Sequence, residues 1–153
     1  MSPFLFVDKW YWAICIVLTF VNAGAYQVKA RRQIEDHPEL KQGYQTIAKG
    51  LVTWGNLPWV VMGVGCVFGG VPSGLSFFRP RDGNPFVLAF FASVFLLLGL
   101  GTCWLAFRGG AKLVVDHPGL FNVNLKSPRT VMILWSLCVV GGVLTMISML
   151  FRP

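Results

Sequence analysis

Charge is what this chain has least of, and the places where it is missing decide the fold class. Only 12% of the 153 residues are charged and 55% are hydrophobic, against roughly 25% charged in an ordinary soluble domain. Positions 10–28, 50–78, 83–107 and 130–151 contain no Asp, Glu, Lys or Arg. A bilayer-crossing helix needs about 20 such residues in succession, so a soluble globular domain is excluded. Within 50–78 the cluster Gly69-Gly70-Val71-Pro72-Ser73-Gly74 is turn-forming and should end its helix near Phe68. The expectation is an all-α integral membrane protein, a single domain with four spanning helices near 10–28, 50–68, 86–107 and 130–150.

Other scarcities narrow the function. No ionisable side chain falls within those four spans, which argues against proton-coupled transport through a buried carboxylate. Cys15, Cys66, Cys103 and Cys138 are scattered through the spans with no C-x-x-C spacing, so they read as small apolar residues. No nucleophile stands near a base in sequence, and no phosphate-binding glycine loop is present, so no enzyme is expected. Histidine occurs only twice, and haem ligation by the pair is disfavoured because both lie outside the spans and on one side.

Those two histidines carry the most informative pattern. Asp36-His37-Pro38 and Asp116-His117-Pro118 are the same tripeptide, 80 positions apart. Around them Arg32 matches Lys112, Ile34 matches Val114, Leu40 matches Leu120 and Gln42 matches Asn122. A repeat at a fixed offset describes architecture first. The chain is therefore read as two repeats, about 1–75 and 81–153, each a helical hairpin. An even number of spans separates the copies, which makes them parallel repeats about an axis along the membrane normal. A four-helix antiparallel bundle with both Asp-His-Pro loops on one face follows.

Proline is favoured at the first helical position, where its missing N–H costs nothing. Asn84-Pro85 and Ser127-Pro128 should thus start helices with a capping side chain. By the same rule His37 and His117 are N-cap-like, and a short cytoplasmic helix should follow each Asp-His-Pro. Pro58 lies inside the second span, where it deprives the Trp54 carbonyl of its helical partner and should kink the helix, with Asn56 close by to help.

A metal reading competes with this capping role. Asp36, His37, Asp116 and His117 could converge on the pseudo-axis as nitrogen and oxygen ligands for a divalent ion. The field of a helix N-terminus, which favours anions by about 0.3–1 kcal/mol, opposes a cation there. Repetition of the histidine, which a cap does not need, is what keeps the metal in contention. Asn22 and Thr102 are equivalent under the offset; together with Asn56 and Pro58 they are candidates for a polar path or an irregular point in the membrane, and interhelical glue is their commoner role.

Nine of the 13 Lys and Arg lie in 29–49 and 108–129. The positive-inside rule places both segments in the cytoplasm and both termini outside, in the cytoplasmic membrane. The net charge of +7 is accordingly assigned to topology and anionic lipid, not to nucleic acid. Ala23-Gly24-Ala25 has the form of a signal cleavage site, yet Lys9 is the only basic side chain before the apolar stretch, so helix 1 is read as a span. Trp10, Tyr11, Trp12, Tyr26, Tyr44 and Trp104 mark the interfaces as an aromatic belt. Small residues, including the Gly65/Gly69 pair, should line helix contacts. The function expected is a non-enzymatic accessory or scaffolding subunit, assembled as a homo-oligomer or in a larger membrane complex. The alternatives are a small homo-oligomeric channel or uncoupled carrier, and a metal-binding membrane protein.

Overall fold

A computed structural model describes residues 7–79, 83–119 and 125–151, and the described residues form helices joined by short turns. In chain order these are α1 (Tyr11–Asp36), a 3₁₀ turn (Pro38–Leu40), α2 (Lys41–Thr53), α3 (Leu57–Phe68), a second 3₁₀ turn (Gly74–Phe78), α4 (Pro85–Phe107), α5 (Gly110–Asp116) and α6 (Pro128–Phe151). Four stretches are long and apolar enough to cross a membrane: Tyr11–Asp36, Pro38–Phe68, Pro85–Phe107 and Pro128–Met149. Pro85–Phe107 and Pro128–Met149 follow two of the charge-free runs closely, whereas Tyr11–Asp36 and Pro38–Phe68 cover the other two predicted spans and extend into the basic segment 29–49.

The proline starts take the form expected of them. Asn84 is extended (φ −64°, ψ 126°) and its Oδ1 accepts the Phe86 N–H at 2.9 Å. Ser127 Oγ accepts the Arg129 N–H at 3.2 Å. Pro58 breaks the second span outright, separating α2 from α3 at Trp54–Asn56. The Trp54 carbonyl, which Pro58 cannot serve, takes the Leu57 N–H at 3.1 Å. Asn56 Nδ2 donates to the Val52 carbonyl at 2.7 Å, while its own Oδ1 is buried without a partner.

Helix packing follows chain order. α1 lies against α2 and α3, α3 against α4, and α4 against α5 and α6; α1 and α6 share no comparable interface among the described residues. The four spans thus pack as a row in chain order. Two cores occupy its ends. One gathers Tyr26, Tyr44, Ile47, Leu105, Val114 and Val131 beside the basic segments. The other gathers Met62, Phe77, Phe90, Phe91 and Met146 at the opposite end. Outward faces remain apolar, as at Val17, Val21, Leu137 and Leu144, which is the surface that hydrocarbon requires.

Three glycines between the spans receive aromatic rings. A Cβ on Gly63 would meet the Trp12 ring at 2.7 Å, one on Gly69 the Phe86 ring at 2.3 Å, and one on Gly101 the Trp135 ring at 2.5 Å. Trp135 completes its contact by donating Nε1–H to Thr102 Oγ1 at 2.9 Å. Thr102→Val keeps the shape and removes this acceptor. It should lower stability in detergent by about 0.6 kcal/mol, the average for hydrogen bonds between membrane helices. A thermal midpoint unchanged from wild type would show that the α4–α6 contact rests on packing alone.

Candidate functional site

The basic end of the row holds the one cluster in which a histidine is buried, and it is built asymmetrically from the two Asp-His-Pro copies. Both histidines have the same backbone role: each is the C-cap of the preceding helix. His37 ends α1 (φ −136°, ψ 80°) with its N–H on the Gln33 carbonyl, and His117 ends α5 (φ −124°, ψ 70°) with its N–H on the Leu113 carbonyl. Proline after a C-cap cannot continue the helix, which accounts for the tripeptide's form. In the first copy His37 is also the N-cap of the 3₁₀ turn that Pro38 opens, which leads into α2, so the expectation that histidine and proline open a helix in each copy is corrected for the second copy only. Pro38 does begin a 3₁₀ turn, but Pro118 and Gly119 are not helical, and the short helix of the second copy precedes its tripeptide. Leu120 and Asn122, which would extend the second copy, fall outside the described residues.

The side chains diverge completely. His37 is 64% exposed and pairs through Nδ1 with Glu39 at 3.2 Å. His117 is 5% exposed, and its Nδ1 lies 2.7 Å from the Leu113 carbonyl. A carbonyl only accepts, so Nδ1 carries the hydrogen, and Nε2 lies on the opposite edge of the ring. That edge of the ring is pressed onto Gly43 of α2, where a Cβ would stand 2.0 Å from Nε2 and 2.3 Å from Cε1. The Tyr44 ring meets the imidazole edge-on at 4.9 Å, and the Tyr26 ring lies 5.4 Å from that of Tyr44.

Polar groups finish the socket. The Tyr26 hydroxyl donates to the His117 carbonyl at 3.0 Å, satisfying one of the orphan acceptors left where α5 ends. The Tyr44 hydroxyl donates to Gln33 Oε1, with the Pro118 carbonyl 3.4 Å away. Gly109, in the left-handed conformation at φ 73°, reverses the chain after α4 and delivers α5 to this position. The turn of the second half is thereby plugged between α1 and α2 of the first half.

Sequence reasoning placed Tyr26, Tyr44 and Trp104 in an interfacial belt, whereas Tyr26 and Tyr44 are 3% and 1% exposed. Trp104 packs over Gly110, where a Cβ would lie 2.5 Å from its ring. A signal for the socket existed in the mismatches between the halves. The positions 80 after Tyr26, Gln33, Gly43 and Tyr44 are Ala106, Leu113, Val123 and Asn124. Only the first half has the socket, and so only the second histidine has somewhere to go.

The remaining singled-out residues fall in different places. Asp36 and Asp116 are exposed, and among the described residues no group of three or more His, Cys, Asp and Glu is gathered in a way that would hold a metal ion. Asn22 is exposed on α1, Thr102 is engaged by Trp135, and Asn56 and Pro58 are buried at the α2–α3 break. Together these define an all-helical chain with four candidate membrane spans and an interlock at its basic end. Comparison with protein-family models, curated proteins and solved structures gave no match.

Proposed function

We propose that the chain is a non-enzymatic integral protein of the cytoplasmic membrane, an accessory or scaffolding subunit whose two parallel hairpins are locked into one face. Segments 29–49 and 108–129 lie in the cytoplasm on this reading, with both termini outside. The observation that carries it is the His117 socket. The Tyr26 hydroxyl holds one half against the other through the His117 carbonyl, and the buried ring is closed in by Gly43 and Tyr44. A site arranged this way fixes a surface and leaves little for chemistry. The exposed residues of α2 and the exposed Asp36, His37 and Glu39 stand beside it, available to a partner.

One observation favours the second reading, a homo-oligomeric channel or uncoupled carrier. The buried, unpartnered Asn56 Oδ1 sits at the only proline break in the spans, where a passing solute or water could be hydrogen-bonded. Asn22 and Thr102 do not join it: the first faces outward and the second is tied to Trp135. Reconstituted vesicles decide between the two. Ion and solute flux should equal that of empty vesicles, and the protein should elute from mild detergent as a stable oligomer or complex. Flux abolished by Asn56→Leu would establish the channel instead, and a strictly monomeric protein would overturn the scaffold. In a cysteine-free background, cysteines introduced at Glu39 and Lys126 should react with an impermeant maleimide only from the cytoplasmic side.

A further inference from the structure

We infer that the groove between α4, α5 and α6 at the basic end binds the phosphate of an anionic phospholipid. The groove is open, has a volume of about 630 Å³, and is lined by Leu105, Ala106, Lys112, Arg129, Met132 and Ile133 among others. Its two charged lining residues are both cations. No Asp or Glu lines it, and neither cation has an ion-pair partner among the described residues, where the sole such pair is His37–Glu39. The rest of the lining is almost wholly apolar. A ligand that satisfies both parts must carry an anionic head and a hydrocarbon tail.

Position selects the lipid over a soluble phosphate. The charge-free run of α4 ends at Phe107, directly before Arg108, and that of α6 begins at Thr130, directly after Arg129. On the membrane reading proposed above, on which this inference rests, the groove straddles the level where hydrocarbon gives way to headgroups. Lys112 and Arg129 then stand at phosphate depth, while Leu105, Met132 and Ile133 extend below them along an acyl chain. Basic pockets between spanning helices are a recognised form of lipid headgroup site. Ala106 and Gly109, which also line it, keep the groove wide, since neither has a side chain larger than a methyl.

Native mass spectrometry of the full chain, released from mild detergent after titration with phosphatidylglycerol, phosphatidylcholine or inorganic phosphate, tests the assignment. Phosphatidylglycerol should be retained as one adduct per chain in preference to phosphatidylcholine. Lys112→Gln/Arg129→Gln should weaken it about tenfold or more, each such cation contributing roughly fivefold. Lys112→Arg/Arg129→Lys should restore it. Ala106→Trp, which fills the groove without changing charge, should weaken it as well. The charge-matched pair Arg31→Gln/Lys49→Gln, outside the groove, should change affinity less than twofold. Equal retention of phosphatidylcholine, an equal loss with the Arg31/Lys49 pair, or no loss with Ala106→Trp would each overturn the site. Displacement of the lipid by inorganic phosphate would assign the groove to a soluble anion and overturn it too. Unchanged partitioning of every variant into the membrane fraction reads the membrane placement separately, so a failed groove and a failed membrane assignment give different results.

Discussion

Gly43→Ala should destabilise the wild-type protein and stabilise a His117→Ala variant. In the wild type the added methyl would lie 2.0 Å from the imidazole, an overlap far beyond what a shift of a few tenths of an ångström relieves. The ring must leave its socket. It then forfeits its bond to the Leu113 carbonyl, about 1 kcal/mol, and its edge-on contact with Tyr44, about 0.5–1.5 kcal/mol. Overpacked cores lose about 1–3 kcal/mol in general. Against this stands the gain of alanine over glycine within a helix, about 0.8–1.0 kcal/mol, so the net loss is about 1 kcal/mol. With His117 already truncated the clash is absent and only the helix gain survives, which reverses the sign. A double-mutant cycle on thermal midpoints in detergent measures the coupling directly. His37→Ala, at an exposed residue that is not among the nearest contacts of a Gly43 Cβ, should leave the cycle unchanged. The same sign for Gly43→Ala in both backgrounds would mean that the imidazole does not rest on α2.

The largest single loss is expected at the other end of the row, from Phe77→Ala. Phe77 is fully buried, held by the 3₁₀ turn Gly74–Phe78, and meets Phe90 in a T-shaped contact at 5.6 Å. Its ring tip fills the space over Gly65, where a Cβ would come within 2.6 Å of it. Truncation leaves a hole that this glycine has no side chain to refill, so relaxation is poor and the cost falls at about 3–5 kcal/mol. Phe107, 83% exposed at the end of α4, is the internal control: its replacement by alanine should stay within about 0.5 kcal/mol. Comparable losses at the two positions would show that the turn does not pack as described.

What could be read from the chain alone sorts by the range of the interaction. The four spans, the break at Pro58 and the starts at Asn84-Pro85 and Ser127-Pro128 depend on runs and neighbours a few positions apart, and local rules reach that far. The socket does not. Its hydrogen bonds join Tyr26 to His117 and Tyr44 to Pro118, 91 and 74 positions apart. Identical tripeptides carry no mark of which will be buried; that is decided by Gly43, which resembles a helix breaker, and by two tyrosines that resemble interfacial anchors. The glycines of α3 were legible as contact residues, but not as seats for Trp12, Phe77 and Phe86. Small size announces room for a neighbour without saying whether a backbone or a ring will take it. The order of helix packing was hidden for a related reason: apolar faces turned to lipid and to another helix have the same composition.

The 91-residue separation between Tyr26 and the carbonyl it engages orders events during biosynthesis. α1 and α2 leave the translation machinery before the His117 ring that rests on Gly43 and Tyr44. Completion waits until the segment after α5 has emerged and swung back. A nascent chain halted before that point lacks the carbonyl that Tyr26 engages in the finished fold and the ring that rests on Gly43. Closure of the interlock thus registers that the chain has been made as far as Pro118, with α6 still to come.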